Sequence, residues 1–75
     1  MNKQRRRDLR DALEQLERAS AIVEMSADEE QSAHDNLPDE LQWTERGERM
    51  EEVASELQEA VELIDQAVEI INGVL

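Results

Sequence analysis

The apolar pattern from Met50 to Leu75 restricts the fold more than any other feature of the chain. With Met50 at position a of a heptad, the a, d and e positions of this segment contain no polar residue. Residues three and four apart share one face of a helix, so the pattern predicts a long amphipathic helix. Leu63 and Ile70 at position g widen its apolar stripe, which one neighbouring helix cannot cover. The residues expected to form this interface are Met50, Val53, Leu57, Val61, Leu63, Ile64, Val68, Ile70, Ile71 and Val74.

A second helix is predicted before this one. Leu9, Leu13, Leu16, Ala19, Ile22, Val23 and Ala27 recur at spacings of three and four, which predicts a helix over about residues 3–35. The expected fold is all-α, with residues 1–75 forming one antiparallel two-helix hairpin of helices at about 3–35 and 44–73. This hairpin is expected to self-associate into a helical bundle. The sequence leaves open whether the two helices close within one chain or exchange between chains.

The connection between the predicted helices carries several turn signals. Pro38 disfavours helical geometry at Leu37 and suits the first turn of a short helical segment that ends at Gln42. Thr44 is the expected N-cap of the second long helix. Gly47 then falls in the first turn, where its cost is small, or allows the close approach of another backbone.

Two further expectations concern the ends of the second helix. Asn72 and Gly73 form a predicted C-terminal stop signal. Trp43, the only aromatic residue, is expected to fold back with Leu41 over the core, and the alternative is that Trp43 anchors a protein partner.

The charge of the chain is unevenly distributed. The net charge is −12, yet five of the eight basic residues lie among the first ten. The acidic remainder disfavours nonspecific binding to nucleic acid. The basic start is expected to form ion pairs with Glu59, Glu62, Asp65 and Glu69, within the chain or between subunits, or to fray. The alternative is that arginines contact phosphate or a partner, and the candidates are Arg5, Arg6, Arg7, Arg10, Arg46 and Arg49.

The sequence offers little for catalysis or for a cofactor. There is no cysteine or tyrosine, and His34, the single histidine, is expected to be solvated in the turn. A nucleophile needs a base beside it and a third group that orients the base. Glu48, Glu52 and Glu56 are spaced along one helix but on its outer face, where a solvated surface is favoured over a metal site. We therefore expect no enzyme, no metal and no cofactor.

The expected location is the cytoplasm, without membrane contact. No apolar run approaches the roughly 18 residues that a membrane-spanning helix requires. No apolar segment of the signal-peptide kind follows the basic start.

The turn region resembles a known group of proteins. The segments Asn36-Leu37-Pro38-Asp39, Leu41-Gln42 and Thr44-Glu45-Arg46-Gly47-Glu48-Arg49-Met50, followed by an acidic heptad helix, are similar to small acidic helical-hairpin proteins of Gram-positive bacteria and their phages. These proteins generally have no assigned function. The resemblance covers roughly the last two-thirds of the chain and excludes its arginine-rich start. It implies a helical hairpin and a phage or mobile-element setting, without catalytic residues.

Three functions follow from these observations. The first is a small interaction or regulatory protein that forms homo-oligomers and binds a protein partner through its apolar face. The second is an oligomer of the phage type that traps a signalling nucleotide between subunits, with the arginines contacting its phosphates. The third is an acidic mimic of nucleic acid.

Overall fold

The structure, a computed structural model, describes all 75 residues and is entirely helical. Helix α1 spans Lys3–Asp35, the short helix α2 spans Asp39–Gln42, and helix α3 spans Glu45–Val74. The two long helices pack against each other, and the Cα atoms occupy 58 × 14 × 12 Å. The predicted all-α class, the two long helices and the short helical turn between them are therefore confirmed.

Polar side chains cap the N-termini of both long helices. The Asn2 side chain accepts a hydrogen bond of 2.8 Å from the backbone N–H of Arg5. The first turn of α1 contains no acidic residue, so this cap acts against an unfavourable interaction of the basic residues with the helix dipole. The Thr44 hydroxyl accepts from the Gly47 N–H at 3.3 Å and donates to the Leu41 carbonyl. The predicted N-cap at Thr44 is thus confirmed.

The C-terminal stop signal predicted at Asn72 and Gly73 is wrong. Helix α3 continues to Val74, and neither glycine has a positive φ. Open space surrounds Gly73, because no heavy atom lies within 4 Å of a Cβ built there. Without packing or a left-handed backbone at Gly73, nothing local requires the helix to end, and it runs on for one more residue.

The contact between the long helices follows two lines of residues spaced seven apart. In α1 the buried residues are Leu13, Ser20, Ala27 and His34, and in α3 they are Gly47, Ala54 and Val61. Most of these are small, which lets the helix axes approach closely. No side chain falls below 2% exposure, and only 7 of 75 residues are buried. Because the two long helices form a single layer, no further element covers the side chains at their contact, and these stay partly exposed to solvent.

At Gly47 the backbone of the connection passes directly against α3. A Cβ at this position would be 2.5 Å from the Gln42 carbonyl oxygen and 2.6 Å from that of Leu41. Both obstructing atoms belong to the backbone, which cannot rotate away as a side chain can. Of the two explanations for Gly47, the structure therefore supports close approach of another backbone.

Candidate interaction surface

The buried residues of α3, Gly47, Ala54 and Val61, form a line along the helix, which we call its buried line. Helix α3 carries half-buried apolar residues on only one side of this line. Of its eight a and d positions only Val74 is exposed, and the seven half-buried residues are Met50, Val53, Leu57, Ala60, Ile64, Ala67 and Ile71. The flank on the other side, at positions b and f, is polar and exposed, as Ser55 and Gln58 illustrate. The apolar stripe therefore extends from the α1 contact around one side of α3.

Helix α1 repeats this arrangement. Relative to its buried line, the half-buried apolar residues occupy the positions that correspond to a and d of α3. They are Leu9, Ala12, Leu16, Ala19 and Val23. The opposite flank is polar and exposed, with Arg10, Glu17, Glu24 and Gln31. We call these half-buried residues of α1 and α3 together the apolar rows.

The residues predicted to form an interface differ in their accessibility. Val61 is only 3% exposed and lies in the contact between α1 and α3, so it is not available to another molecule. Val68 is half-buried on the same line. By contrast, Leu63, Ile70 and Val74 are 58%, 70% and 57% exposed. The outer edge of the predicted stripe is thus open to solvent, and its inner edge is used within the chain.

The accessible surface of the chain is larger than that of a compact monomer. It measures 5777 Å² for a mass of 8.6 kDa. Compact monomers of this mass expose about 4,700 Å², so the excess is roughly 1,100 Å². The radius of gyration is 17.1 Å, whereas a compact domain of this length has one of about 11 Å. The fold leaves unburied an amount of surface comparable to a protein interface.

Trp43 is exposed, and the prediction that it covers the core is wrong. Its exposure is 81%, and Leu41 is 46% exposed. Hydrogen bonds hold the residues on both sides of Trp43 in place. The Gln42 side chain donates to the Leu37 carbonyl at 3.0 Å, and Thr44 caps α3. The indole lines a notch of about 220 Å³ with His34, Gln42, Glu48 and Glu51.

His34 is buried, although the sequence predicts a solvated turn histidine. It is 8% exposed, with Nδ1 at 3.1 Å from the Asp35 carboxylate and Nε2 at 3.6 Å from that of Glu51. The hydrogen bond with His34, and next the one from Gln31, lowers the pKa of Asp35. The signal for its burial was the spacing of seven residues that runs from Leu13 through Ser20 and Ala27 to His34.

A second polar contact between the helices was not predicted from the sequence. The Ser20 hydroxyl donates to the Asp65 carboxylate at 2.7 Å. The link from Ser20 to Asp65 joins the middle of α1 to the second half of α3, and the link from His34 to Glu51 joins the end of α1 to the first part of α3. They involve the b positions of α3, on the polar flank, which leaves the apolar rows free of polar contacts.

Five of the six candidate arginines line two separate grooves, and Arg5 lines neither. One group lines an open groove of about 540 Å³ along α1, formed by Lys3, Arg6, Arg7, Arg10, Asp11 and Glu14. Arg46 and Arg49 line another groove, of about 500 Å³, with Glu45, Glu48 and Glu52. Arg49 forms ion pairs with Glu52 at 3.1 Å and Glu56 at 4.0 Å.

The arginines of α1 form no ion pair within the chain. The four ion pairs present involve only His34 and Arg49 as the basic partners. The predicted intrachain pairs with Glu59, Glu62, Asp65 and Glu69 are therefore not formed. No group of three or more acidic, histidine or cysteine side chains is placed to hold a metal ion. None of the helices combines the length and apolar character needed to cross a membrane.

Comparison with known proteins adds no relative. No protein-family model, curated protein or solved structure matches this chain. The apolar rows, Trp43 and the charge distribution are the features of the chain that bear on its function.

Proposed function

We propose that the chain is an antiparallel helical hairpin that functions as a self-associating interaction protein and acts by binding rather than catalysis. Such a hairpin has approximate two-fold symmetry about an axis perpendicular to its layer. Equivalent flanks of the two buried lines then lie on the same face. The apolar rows of α1 and α3 combine into one surface, which we call the apolar face, and the polar flanks form the opposite face.

The single observation that carries this proposal is that the apolar rows of both helices stay half-buried on corresponding flanks. From Met50 to Ile71 the face is about 30 Å long, and two helices give it a width of about 20 Å. Two copies packed face to face would bury on the order of 1,200 Å² in total, which reaches the lower limit of stable specific interfaces. A four-helix bundle is the simplest closed assembly of this kind.

Light scattering coupled to size-exclusion chromatography tests this proposal. The test variant is Ala60→Arg, which places a charge in the middle of the apolar face at position d. The matched control is Ser55→Arg, which adds the same side chain to α3 at position f, on the polar side of the buried line. We expect a dimer for the wild type and for S55R and a monomer for A60R. A monomeric wild type, or a dimeric A60R, would refute self-association through this face.

Trp43 supports a role in contacting a different protein once the apolar face is covered. It lies in the turn, outside the apolar rows, and is the most exposed large apolar side chain of the chain, at 81%. Tryptophan is enriched among the residues that dominate binding energy at protein interfaces. We propose that this cytoplasmic interaction protein binds its partner with Trp43 as the anchor.

Nucleotide binding is the second candidate function. The distance between the two arginine groups determines whether one chain can bind a phosphate ligand with both of them. Arg10 and Asp35 are 25 residues apart on α1, about 38 Å, and Asp35 adjoins the turn that leads to Arg46. The two arginine groups can therefore surround one phosphate ligand only between different copies. A thermal-shift titration with cyclic dinucleotides tests this: stabilisation of wild type that R46E/R49E loses would support it, and no stabilisation would remove it.

A further inference from the structure

The two ends of the molecule carry opposite charge. Residues 1–10 contain five basic and one acidic residues, a net charge of +4. Residues 28–56, which include the turn, contain eleven acidic and two basic residues, a net charge of −9. Neither excess of charge is neutralised within the chain. The arginines of α1 form no ion pair, and only Arg49 and His34 form ion pairs with carboxylates near the turn.

Two arrangements can bring two apolar faces together with two-fold symmetry. In one, the turns of both copies lie at the same end of the bundle. This places two segments of net charge −9 side by side, and close like charges oppose association. In the other, the turns lie at opposite ends, so that each basic N-terminus lies over the acidic turn end of the other copy. Charge complementarity therefore selects the second arrangement.

We infer that the chain pairs with a second copy of itself, face to face, with the turns at opposite ends of a four-helix bundle. This inference rests on the self-association proposed above and specifies its geometry. Each α1 then runs antiparallel to the α1 of the other copy, and each α3 to the other α3. The basic start of α1, with Arg5 on the side of the apolar rows, then lies over the acidic end of the other copy's α1, with Glu30 on that same side, at the negative end of that helix's dipole.

The distribution of small residues fits this arrangement. In the opposite-end dimer each long helix crosses its own copy at the level of the two-fold axis, where a residue meets the same residue of the other chain. With the axis at Ala19, the midpoint of α1, the crossing in α3 falls near Ala67, because the neighbouring Ser20 bonds to Asp65. Both alanines belong to the apolar rows and are half-buried. Side chains of this size let four helix backbones approach closely at the point where the two-fold axis passes.

Distance measurement between spin labels tests the geometry, because the chain has no cysteine of its own. A label at Asn36→Cys marks the turn, where the Asn36 side chain makes no hydrogen bond within the chain. The opposite-end dimer predicts a separation of roughly 50 Å, the length of α1. The same-end dimer predicts less than about 25 Å, since packed helices lie 8–10 Å apart. A separation in that shorter range would overturn the inference.

A second label, at Gln58→Cys near the middle of α3, separates failure of the geometry from failure of self-association. Both dimers place two labels at this position nearer to each other than the opposite-end dimer places labels at position 36, so each gives a distance clearly shorter than roughly 50 Å. A dimeric mass with a short distance at position 58 and a long one at position 36 supports the inference. A monomeric mass with no dipolar coupling at either position would instead refute the proposed function, and the inference with it.

Charge reversal provides an independent measurement. The variant R5E/R6E/R7E should raise the dissociation constant of the dimer roughly tenfold in 50 mM salt, and this difference should shrink in 500 mM salt as screening increases. The matched variant R46E/R49E makes the turn end more acidic. In the opposite-end dimer it should bind itself as tightly as wild type or more tightly. If R46E/R49E weakened the dimer and R5E/R6E/R7E did not, the same-end arrangement would be correct.

Discussion

Replacing Gly47 with alanine tests the tight packing of the connection against α3. Helix propensity alone predicts that this change stabilises the protein, by up to about 1 kcal/mol. The structure predicts the opposite, because the new Cβ would lie 2.5 and 2.6 Å from two carbonyl oxygens and 2.8 Å from the Gln42 carbonyl carbon. Forcing extra atoms into a packed site typically costs about 1–3 kcal/mol. We expect a net loss of about 1–2 kcal/mol.

Thermal unfolding followed by circular dichroism measures this loss. For a domain of this size about 1 kcal/mol changes Tm by roughly 4–8 °C, so G47A should melt roughly 5–15 °C lower. Wild type and variants must be compared at one chain concentration, because the Tm of a dimer depends on it.

The control is Gly73→Ala in the same helix, where nothing lies within 4 Å of the new Cβ. G73A should leave Tm unchanged or raise it, since only the helix propensity changes. If G47A raised Tm as much as G73A did, the proposed obstruction by the turn backbone would be wrong. Gly47 would then be only a tolerated residue of the first helical turn.

Three further predictions concern separate residues of the chain. Ser20→Ala removes the hydroxyl that donates to Asp65, and urea denaturation should show a loss of about 1 kcal/mol that an exposed control, Ser55→Ala, does not show. Because hydrogen bonds from His34 and Gln31 lower the pKa of Asp35, its contribution to stability should be present above about pH 4 and be lost as the pH falls through the folded pKa. Wild type should therefore lose more stability than Asp35→Asn between pH 5 and pH 3, by a small amount because Asp35 is exposed; equal losses would contradict this. The fluorescence of Trp43, the only tryptophan, should show the emission maximum and acrylamide quenching of an exposed indole in wild type and in A60R alike, and protection in the wild-type dimer alone would place Trp43 inside the dimer contact.

The helices were predictable from the sequence because their signals are local. The spacing of Leu9, Leu13 and Leu16 predicts α1. Pro38 separates α1 from α2 by backbone sterics, and Thr44 starts α3 by capping it. These effects act within a few residues and do not depend on the partner helix. The apolar rows were predictable in α3 for the same reason, as a continuous heptad pattern.

The errors concern residues whose environment depends on the other helix. Polar neighbours in the sequence suggested that His34 is solvated, but α3 covers it because it continues the buried line of Leu13, Ser20 and Ala27. The aromatic character of Trp43 suggested burial, but the four residues of α2 are held by the bonds of Gln42 and Thr44, and the indole is left outside. The heptad pattern placed Val61 in the predicted interface. Whether such a residue contacts the other helix of its own chain or another molecule depends on how α3 is rotated about its axis. That rotation is set by small residues such as Ala27 and Ala54.

The size of the buried residues explains why one chain makes an incomplete core. Alanine, serine and glycine on the two buried lines bring the helices close, but they bury little apolar area each. The larger side chains, such as Leu57 and Ile64, lie beside these lines and are only half-covered by the other helix. Four of the seven buried residues are small, and Leu57 and Ile64 lie on one flank of the contact, which we propose is covered by a second layer. In the arrangement proposed here that layer is another copy, and the basic N-terminus and acidic turn determine which way it lies.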